Sequence, residues 1–370
     1  MKKLLFLTNI SRGVTTVSIP MIKACDNLNI EYHESANMDN FTDNPKYPII
    51  KHDVQMNRNP LSLHNIKIFF ELKRIISDEN IDYIHCNTPV GGILGRLLGL
   101  RCGSVKKVIY TAHGFHFFKG NSKIKNWIFR TIESVLALMT DAIITINEED
   151  FIAAKKMKLK KDGKVYFVPG VGVDIIETEN LLKQASLTKE QLGLTDEFTI
   201  VMAGDLIKRK NFITALEAVN TLKKENIKFL ICGEGPEEKT LKKYVYEKGL
   251  SSQVEFLGFR KDVLEVISLA DIFIFPSYQE GLPRVLMEAM ILSKPCIASR
   301  IRGNEDLIMD KEGGYLIKSN DFKSLSEKIL VYINNPEQKI KDGNFNRSFV
   351  EKFDVSVIEK EINLIYKELL

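Results

Sequence analysis

The sequence lacks the features of a secreted, disulfide-stabilised or membrane-spanning protein. Its five cysteines are scattered, odd in number and without a C-x-x-C pair, which favours reduced thiols in a cytosol over a disulfide framework or a zinc site. No apolar run approaches the roughly 20 residues of a membrane span. The apolar run that follows Lys2 and Lys3 ends too soon for a signal peptide and predicts a first core strand. We therefore expect a cytoplasmic protein.

Acidic residues are missing from residues 83–132, a stretch with eight lysines and arginines. Residues 1–170 carry 24 basic and 16 acidic residues, whereas the remainder carries 28 basic and 32 acidic ones. Two interpretations stay open: a solvated basic face, or a surface that meets anionic lipid headgroups or a phosphorylated acceptor. The basic residues carry no recognised nucleic-acid motif and no aromatic ladder, so we predict no nucleic-acid partner.

Length and patterning predict an α/β protein of two domains. The chain has 370 residues, 44% of them hydrophobic and 27% charged, enough to bury two cores. Short apolar runs alternate with longer helical patterns in two series, which predicts two doubly wound, Rossmann-like domains with parallel sheets. We place the domains at 1–175 and 176–354. The candidate strands are 4–9, 83–86, 107–111, 142–146, 165–168, 199–203, 228–232, 254–257, 272–275, 295–298 and 314–317.

The most informative motif follows the strand at 272–275, where two glutamates, Glu280 and Glu288, are separated by seven residues. We expect Glu280 at the mouth of a helix, where free backbone N–H groups and the positive dipole end attract anions. Glu288 would then lie two turns further along, on roughly the same face. Amide donors for phosphate beside two carboxylates for hydroxyl groups suit a nucleotide-sugar.

Three other strand ends in the second series carry candidate ligands of a nucleotide. Arg209 and Lys210 follow a glycine turn and suit a diphosphate, although a solvated basic turn is the alternative. Gly233 ends the next strand in a turn that is weak evidence alone. Arg260 follows a third strand, where its stem and the backbone suit a base. Such ligand sites lie beyond the carboxyl ends of parallel strands.

The first series places histidines at two strand ends. His113 and His116 follow one strand beside Gly114, and His85 and Asn87 end another. A lone histidine is usually structural, so His113 is the best candidate because its glycine neighbour allows close ligand approach. Metal binding is the rival interpretation, but the histidine spacings match no common zinc pattern. The chain also lacks a D-x-D motif, so no divalent ion is predicted on the diphosphate.

Taken in order, these motifs resemble those of the retaining glycosyltransferases of family four, which have the GT-B architecture of two Rossmann-like domains facing across a cleft. The chain is most similar to bacterial enzymes that build capsular and extracellular polysaccharides. The resemblance covers nearly the whole chain and is carried by HCNTPVGG at 85–92, YTAHGFHF at 110–117, TINEED at 145–150, VGVD at 171–174, GEG at 233–235, LGF at 257–259, the Glu280/Glu288 pair and IRGN at 301–304.

The resemblance implies roles for individual residues. Glu288 should bind the ribose hydroxyls, Glu280 the transferred sugar, Lys210 the diphosphate, and His113 the sugar near the reacting carbon. It also implies that a C-terminal helix at about 355–370 packs back on the first domain. The donor phosphates should meet the backbone of Gly281, Leu282, Pro283, Arg284 and Val285. The acceptor-side candidates are His85, Asn87, His116 and Lys119.

Two positions depart from the family pattern. Asp205 stands where many members have an arginine that binds the diphosphate, so either Arg209 substitutes for it or one cation suffices. The usual glycine pair of the first loop is reduced to Gly13. No carboxylate at a strand end of the first series is a convincing nucleophile. Same-face attack, with a donor phosphate oxygen taking the acceptor proton, is the expected course.

The expected function is thus metal-independent, retaining transfer of a hexose or N-acetylhexosamine from a UDP-sugar to a polyprenyl-diphosphate-linked glycan, without a cofactor. A sugar-nucleotide epimerase of the same fold and a non-catalytic nucleotide-sugar-binding subunit are the alternatives. Residues 119–130 interleave cations with large apolar groups. On a helix they would dock the protein peripherally on the inner face of the plasma membrane, with Trp127 and Ile128 in the interface. The alternative is that Trp127 and Phe129 belong to the core.

Overall fold

The structure, a computed structural model, describes all residues from 1 to 370. It divides into two compact units. Unit 1 comprises Met1–Gly172 together with Val355–Leu370, and unit 2 comprises Val173–Asp354. Each unit is built on one parallel sheet covered by helices, which confirms the predicted α/β class.

The sheet of unit 1 has seven strands in the order β3-β2-β1-β4-β5-β6-β7. The order reverses between β1 and β4, so the loops that leave these two strands diverge to opposite sides of the sheet. This switch point is where open α/β sheets bind ligands. The strands are β1 (Lys2–Ile10), β2 (Ile30–Asn37), β3 (Ile50–Asp53), β4 (Tyr83–Cys86), β5 (Lys107–Ala112), β6 (Ala142–Thr145) and β7 (Lys164–Phe167).

Two helical layers cover this sheet. One core joins α2, α3, α4 and α5 to one face, and a second core joins α1 and the C-terminal helix α14 to the other. The helices of unit 1 are α1 (Ile19–Asn27), α2 (His64–Asp78), α3 (Pro89–Arg101), α4 (Lys123–Ala137), α5 (Glu148–Ala154) and α14 (Val355–Leu369).

Glycines on α3 bring that helix close to the sheet. A Cβ atom on Gly95 would lie 2.9 Å from the Cβ of Cys86, and one on Gly99 would lie 2.2 Å from a methyl carbon of Val108. Larger side chains would therefore push α3 outward. Pro89 occupies the first turn, where a missing N–H costs nothing. The start of α3 is thus fixed directly after Asn87 and Thr88.

Unit 2 has a six-stranded sheet in the order β10-β9-β8-β11-β12-β13, with its switch point between β8 and β11. The strands are β8 (Phe198–Ala203), β9 (Ile227–Cys232), β10 (Val254–Gly258), β11 (Ile272–Phe275), β12 (Cys296–Ser299) and β13 (Gly314–Ile317). The helices are α6 (Ile175–Lys183), α7 (Phe212–Thr221), α8 (Glu238–Glu247), α9 (Val263–Leu269), α10 (Arg284–Ile291), α11 (Asn304–Leu307), α12 (Phe322–Asn334) and α13 (Pro336–Phe349).

All eleven predicted strands are present, but β2 and β3 were missed. In β2 the buried residues include His33, Glu34 and Ser35, so this strand has no apolar run from which to predict it. The sequence of β3, IKHD, is short and mostly exposed. Both strands are added at one side of the sheet, beyond β1.

The exposure of the aromatic side chains on α4 distinguishes between the two interpretations of them. Trp127 is 70% exposed, so its assignment to the core is wrong. Phe129 is half-buried and packs against the core of unit 1, as that alternative predicted. None of the fourteen α-helices combines the length and the apolar composition that a membrane crossing requires.

Candidate functional site

The switch point of unit 2 holds a buried cluster of one carboxylate and two cations. Lys210 belongs to a single 3₁₀ turn, Lys208–Lys210, in the loop after β8, and Glu280 lies in the loop after β11. The Lys210 ammonium is 2.9 Å from Oε1 of Glu280, and the Arg209 guanidinium is 2.8 Å from the same oxygen. Residues about 70 positions apart meet here because β8 and β11 are neighbouring strands.

Burial differs between the two cations. The Lys210 side chain is only 11% exposed and its ammonium also lies over the Phe275 ring, 4.6 Å from the centroid. The Arg209 side chain is 40% exposed, and it donates a hydrogen bond to the carbonyl of Gln279 at 2.6 Å. Lys210 is therefore held rigidly, whereas Arg209 lies at the rim of the cluster. Asp205, at the position where an arginine was expected, is exposed.

Glycine turns at β8 and β9 keep the floor of this cluster free of side chains. A Cβ atom on Gly233 would lie 2.0 Å from the carbonyl oxygen of Gly204, and both glycines have positive φ. On Gly204 the same atom would contact the Lys210 side chain at 3.4 Å. The turns therefore need glycine at both positions, and they leave backbone accessible beside Lys210.

The loop from Glu280 to Pro283 corrects the predicted position of Glu280. Helix α10 begins at Arg284, with Pro283 as its N-cap in an extended conformation. Glu280 thus precedes the helix and does not share a helical face with Glu288. The ring of Pro283 disfavours the helical backbone conformation at the residue before it, so α10 cannot begin as early as Leu282. The backbone N–H groups of four residues donate no hydrogen bond within the chain: Gly281, Leu282, Arg284 and Val285.

Glu288 and Arg260 each pair with a neighbour. The Arg284 guanidinium donates to Glu288 at 2.8 Å across one turn of α10, and the Glu288 side chain is 14% exposed. Arg260 donates to Asp262 at 2.7 Å. The carbonyl of Glu280 accepts from the buried Arg302 at 3.3 Å, a contact that no sequence motif had assigned. The structure therefore groups Arg209, Lys210 and Glu280 by direct contact.

Unit 1 has a cavity of about 270 Å³ at its own switch point. It is lined by the loop after β1, including Arg12 and Gly13, and by Asn87 and His113 from the ends of β4 and β5. Nε2 of His113 and Oδ1 of Asn87 are enclosed and have no hydrogen-bond partner. Burial lowers the pKa of His113 to about 4, so its ring is neutral near pH 7.

His85, His116 and Lys119 do not line this cavity. His85 is fully buried, and its ring nitrogens lie 2.6 Å from the Tyr366 hydroxyl of α14 and 2.7 Å from the Thr111 hydroxyl. Burial lowers the pKa of His85 to about 3. With both nitrogens engaged, His85 cannot reach an acceptor, and we assign it a structural role in anchoring α14. His116 and Lys119 are exposed on the loop before α4.

Several lining residues of this cavity were not predicted from the sequence, and one of them is a carboxylate. Glu34 of β2 is 2% exposed and lines the cavity together with His113. The expectation that no strand-end carboxylate of the first series is a convincing nucleophile stays a prediction, since Glu34 lies within β2 (Ile30–Asn37). Glu34 was not among the predicted site residues because β2 itself was not predicted.

Two family models match the chain. Residues 185–349 match "Glycosyl transferases group 1", and residues 3–147 match "Glycosyl transferase 4-like". The chain is also 33% identical over 375 residues to EpsD of Bacillus subtilis (strain 168), covering 99% of this chain and 96% of EpsD. This chain belongs to the group 1 glycosyltransferases.

Other members of the group and a solved structure extend the comparison. The glycosyltransferase is 27% identical over 319 residues to the UDP-Gal:alpha-D-GlcNAc-diphosphoundecaprenol alpha-1,3-galactosyltransferase of Escherichia coli, covering 85% of this chain and 82% of that enzyme. Its fold matches that of Anabaena HepE in complex with UDP-glucose, with a TM-score of 0.78, 18% identity and full coverage of both chains. The fold is thus GT-B, as predicted, and the enzyme class is transferase.

Proposed function

We propose that this glycosyltransferase moves a sugar from a UDP-sugar to a lipid-linked glycan in bacterial surface polysaccharide synthesis. The observation that carries the proposal is the cluster of Glu280, Lys210 and Arg209 beside backbone N–H groups that lack partners within the chain. The relationship to glycosyltransferases favours transfer over the epimerase and the non-catalytic subunit.

The cluster suits the departure of a nucleoside diphosphate. When the bond to the sugar breaks, negative charge develops on the leaving phosphate. Lys210, Arg209 and the amides of Gly281 and Leu282 are already positioned donors, so they stabilise that charge without reorganising. Glu280, which orients both cations, is then available to a hydroxyl of the transferred sugar.

The nucleotide is proposed to be uridine diphosphate, and the donor sugar a hexose or an N-acetylhexosamine. HepE, which has the same fold, was solved with UDP-glucose, and the Escherichia coli relative is named for UDP-Gal. Thermal shift with UDP, GDP and ADP tests the choice. UDP should give the largest rise in melting temperature, and Lys210→Met should reduce that rise. A clear preference for GDP or ADP would contradict the uridine assignment.

Metal-independent transfer with retained anomeric configuration completes the proposed reaction. Two cations and several amides converge where the diphosphate charge would develop, which supplies the role that a divalent ion has in other transferases. The acceptor proton would pass to a donor phosphate oxygen on the same face. EDTA should leave turnover unchanged, and NMR of the product should show the anomeric configuration of the donor. A strict requirement for Mg²⁺ or Mn²⁺, or an inverted product, would contradict the mechanism.

The acceptor is proposed to carry a polyprenyl diphosphate. The name of the Escherichia coli relative specifies alpha-D-GlcNAc-diphosphoundecaprenol as its acceptor, and this chain aligns with 82% of that enzyme. Mass spectrometry of reactions with UDP-hexoses and this glycolipid should reveal a product heavier by one sugar. Release of free sugar with no glycolipid product from any UDP-hexose or UDP-N-acetylhexosamine would contradict it.

A lipid-linked acceptor also requires access to a membrane, and α4 offers a docking face. Its exposed apolar residues recur at helical spacing and lie beside exposed cations at Lys123, Lys125 and Arg130. The nearby groove between α2 and α3, about 580 Å³, is also mainly apolar. Exposed apolar residues rimmed by charged ones are typical of surfaces that meet a protein or a membrane. The exposed apolar residues of α4 and of the turn after it are Ile124, Trp127, Ile128, Ile132, Val135 and Leu138.

Flotation with liposomes tests this peripheral docking. Binding to anionic phosphatidylglycerol vesicles should exceed binding to neutral ones and should weaken as salt is raised. Lys123→Glu/Lys125→Glu should cost roughly 2–4 kcal/mol, because each basic residue near an anionic surface contributes about 1 kcal/mol. The matched control, Lys224→Glu/Lys239→Glu in unit 2, should bind normally. Equal flotation on both vesicle types, or none on either, would remove the electrostatic docking.

A further inference from the structure

The carboxylate of Glu34 is buried in unit 1 without a cation. It is 2% exposed and accepts hydrogen bonds from Ser11 and from the Tyr32 hydroxyl, the latter at 3.2 Å. By contrast, the buried Arg96 of this unit pairs with Glu133 at 2.7 Å. An unpaired buried carboxylate lowers the stability of the fold. Such a group persists where it serves a ligand.

The environment of Glu34 disfavours the charged form. Burial raises the pKa of the Glu34 carboxyl, and hydrogen bonds from Ser11 and Tyr32 lower it by less. A raised pKa means that the folded state holds this proton more tightly than the unfolded state does. Ionisation of Glu34 therefore reduces stability once the pH rises above the unfolded value.

Two further groups in the same cavity have unused hydrogen-bonding capacity. Oδ1 of Asn87, a residue only 4% exposed, and Nε2 of His113 are both without partners. The adjacent Thr88 has a φ of +59°, which β-branched residues rarely adopt, so the backbone beside Asn87 is strained. Strain and unmet polar capacity in one cavity indicate that its shape is maintained for a ligand.

The chemistry of the ligand follows from the hydrogen-bonding capacity that these groups have left. A carboxylate and an amide oxygen accept hydrogen bonds, and the neutral His113 ring also offers an acceptor nitrogen in one of its tautomers. The complement of several convergent acceptors is a molecule with several hydroxyl donors. The cation at the cavity is the exposed Arg12, so a phosphate would meet at most the rim.

We propose that Glu34 binds a hydroxyl of the acceptor sugar and, with Asn87 and His113, determines which sugar is accepted. This inference rests on the proposed glycosyl transfer and adds an acceptor-binding residue to it. Glu34 is thereby distinguished from a nucleophile, because it would bind the acceptor and would not attack the donor.

The test compares Glu34→Gln with Glu31→Gln, a carboxylate three residues earlier on β2 that pairs with Lys3 and lies outside the cavity. The first readout is kinetic, with alpha-D-GlcNAc-diphosphoundecaprenol as acceptor and a UDP-hexose as donor. Glu34→Gln should raise the acceptor KM at least tenfold and leave the donor KM and the slow hydrolysis of donor unchanged. An acceptor KM within twofold of wild type would overturn the proposal. Loss of donor hydrolysis would also overturn it, by indicating a nucleophile.

A second readout does not depend on turnover. Saturation-transfer NMR with the methyl α-glycosides of glucose, galactose, N-acetylglucosamine and N-acetylgalactosamine should show binding that Glu34→Gln abolishes and Glu31→Gln and Glu280→Ala retain. Equal signals in wild type and Glu34→Gln, or none for any glycoside, would overturn the proposal. Glycoside binding that depends on Glu34 in a protein that transfers no sugar would instead contradict the proposed function.

The melting temperature separates ligand binding from a structural role. Because the ionised carboxylate reduces stability, Glu34→Gln should hold or raise the melting temperature near pH 8. A structural Glu34 would make the variant less stable at every pH, and that result would also overturn the inference.

Discussion

Lys210→Met is the most informative single substitution in unit 2. The ammonium of Lys210 lies 2.9 Å from Glu280 in a cluster where the two side chains are 11% and 8% exposed. Removing a preorganised donor for the leaving diphosphate should raise the activation free energy by about 3–4 kcal/mol, which lowers kcat roughly 100- to 1,000-fold. Breaking a buried ion pair usually costs about 3–5 kcal/mol of stability. Arg209 remains 2.8 Å from Glu280, so the loss of stability should fall below that range.

The assay is steady-state transfer at saturating UDP-sugar, followed by release of UDP, with chemical denaturation measured on the same samples. Arg209→Met is the matched control. Its side chain is 40% exposed and belongs to the rim, so its loss should reduce kcat less than that of Lys210. A folded Lys210→Met enzyme with kcat within threefold of wild type would refute the assignment. An Arg209 variant more impaired than the Lys210 variant would show that Arg209 is the principal cation.

Three further predictions concern separate features. Glu288→Ala should mainly raise the donor KM, and Glu280→Ala should mainly lower kcat. Each change should correspond to a loss of about 2–4 kcal/mol in binding or activation free energy, and wild-type kinetics in either folded variant would contradict the role of that glutamate. Because burial lowers the pKa of His85 to about 3, the unfolded state binds more protons between about pH 3 and 6.5. The melting temperature should therefore fall as pH drops through that window, and less steeply in His85→Gln; an unchanged slope would contradict the assignment. Gly303→Ala would place a Cβ 2.1 Å from the carbonyl oxygen of Gly281, whereas Gly193→Ala, also at positive φ, meets open space. Gly303→Ala should lower the melting temperature and raise the donor KM more than Gly193→Ala does. Equal effects of the two variants would mean that backbone strain alone, and not the contact with Gly281, causes the change.

The parallel sheets were predictable because their central strands are buried on both faces. Strands such as β4 and β11 are four buried residues long and stand out as apolar runs between turns. β2 violates this pattern, since a histidine, a glutamate and a serine are buried where apolar residues would be expected. The strand is defined by parallel pairing with β1, from Lys2–Ile30 to Ile10–Asn37. Pairing between distant segments cannot be predicted from the local sequence pattern.

The sequence predicted which loops form the candidate site but not which side chains contact each other there. Motifs at strand ends identified Lys210 and Glu280, and the switch-point rule explains why their loops meet. The direct ion pair depends on the 3₁₀ turn of residues 208–210 and on Pro283, which delays α10 and leaves Glu280 in a loop. His85 shows the opposite error. Its position at a strand end suggested a ligand, but α14, which returns from the far end of the chain, covers it.

The two units use charge in different ways, and the difference bears on the basic excess of unit 1. In unit 2 the cations Lys210 and Arg209 and the unpaired amides are directed to one place, as an anionic donor requires. In unit 1 the cavity is lined by a carboxyl group, an amide and a neutral histidine, and its one cation, Arg12, is exposed at the rim. Of the basic residues in its acid-free stretch, Lys119, Lys123, Lys125 and Arg130 are exposed outside the cavity. The basic charge of unit 1 is therefore not explained by a phosphate bound in that cavity. The proposed docking on an anionic lipid headgroup layer would account for it, because such a layer offers negative charge to these cations and an interface to the exposed apolar face of α4.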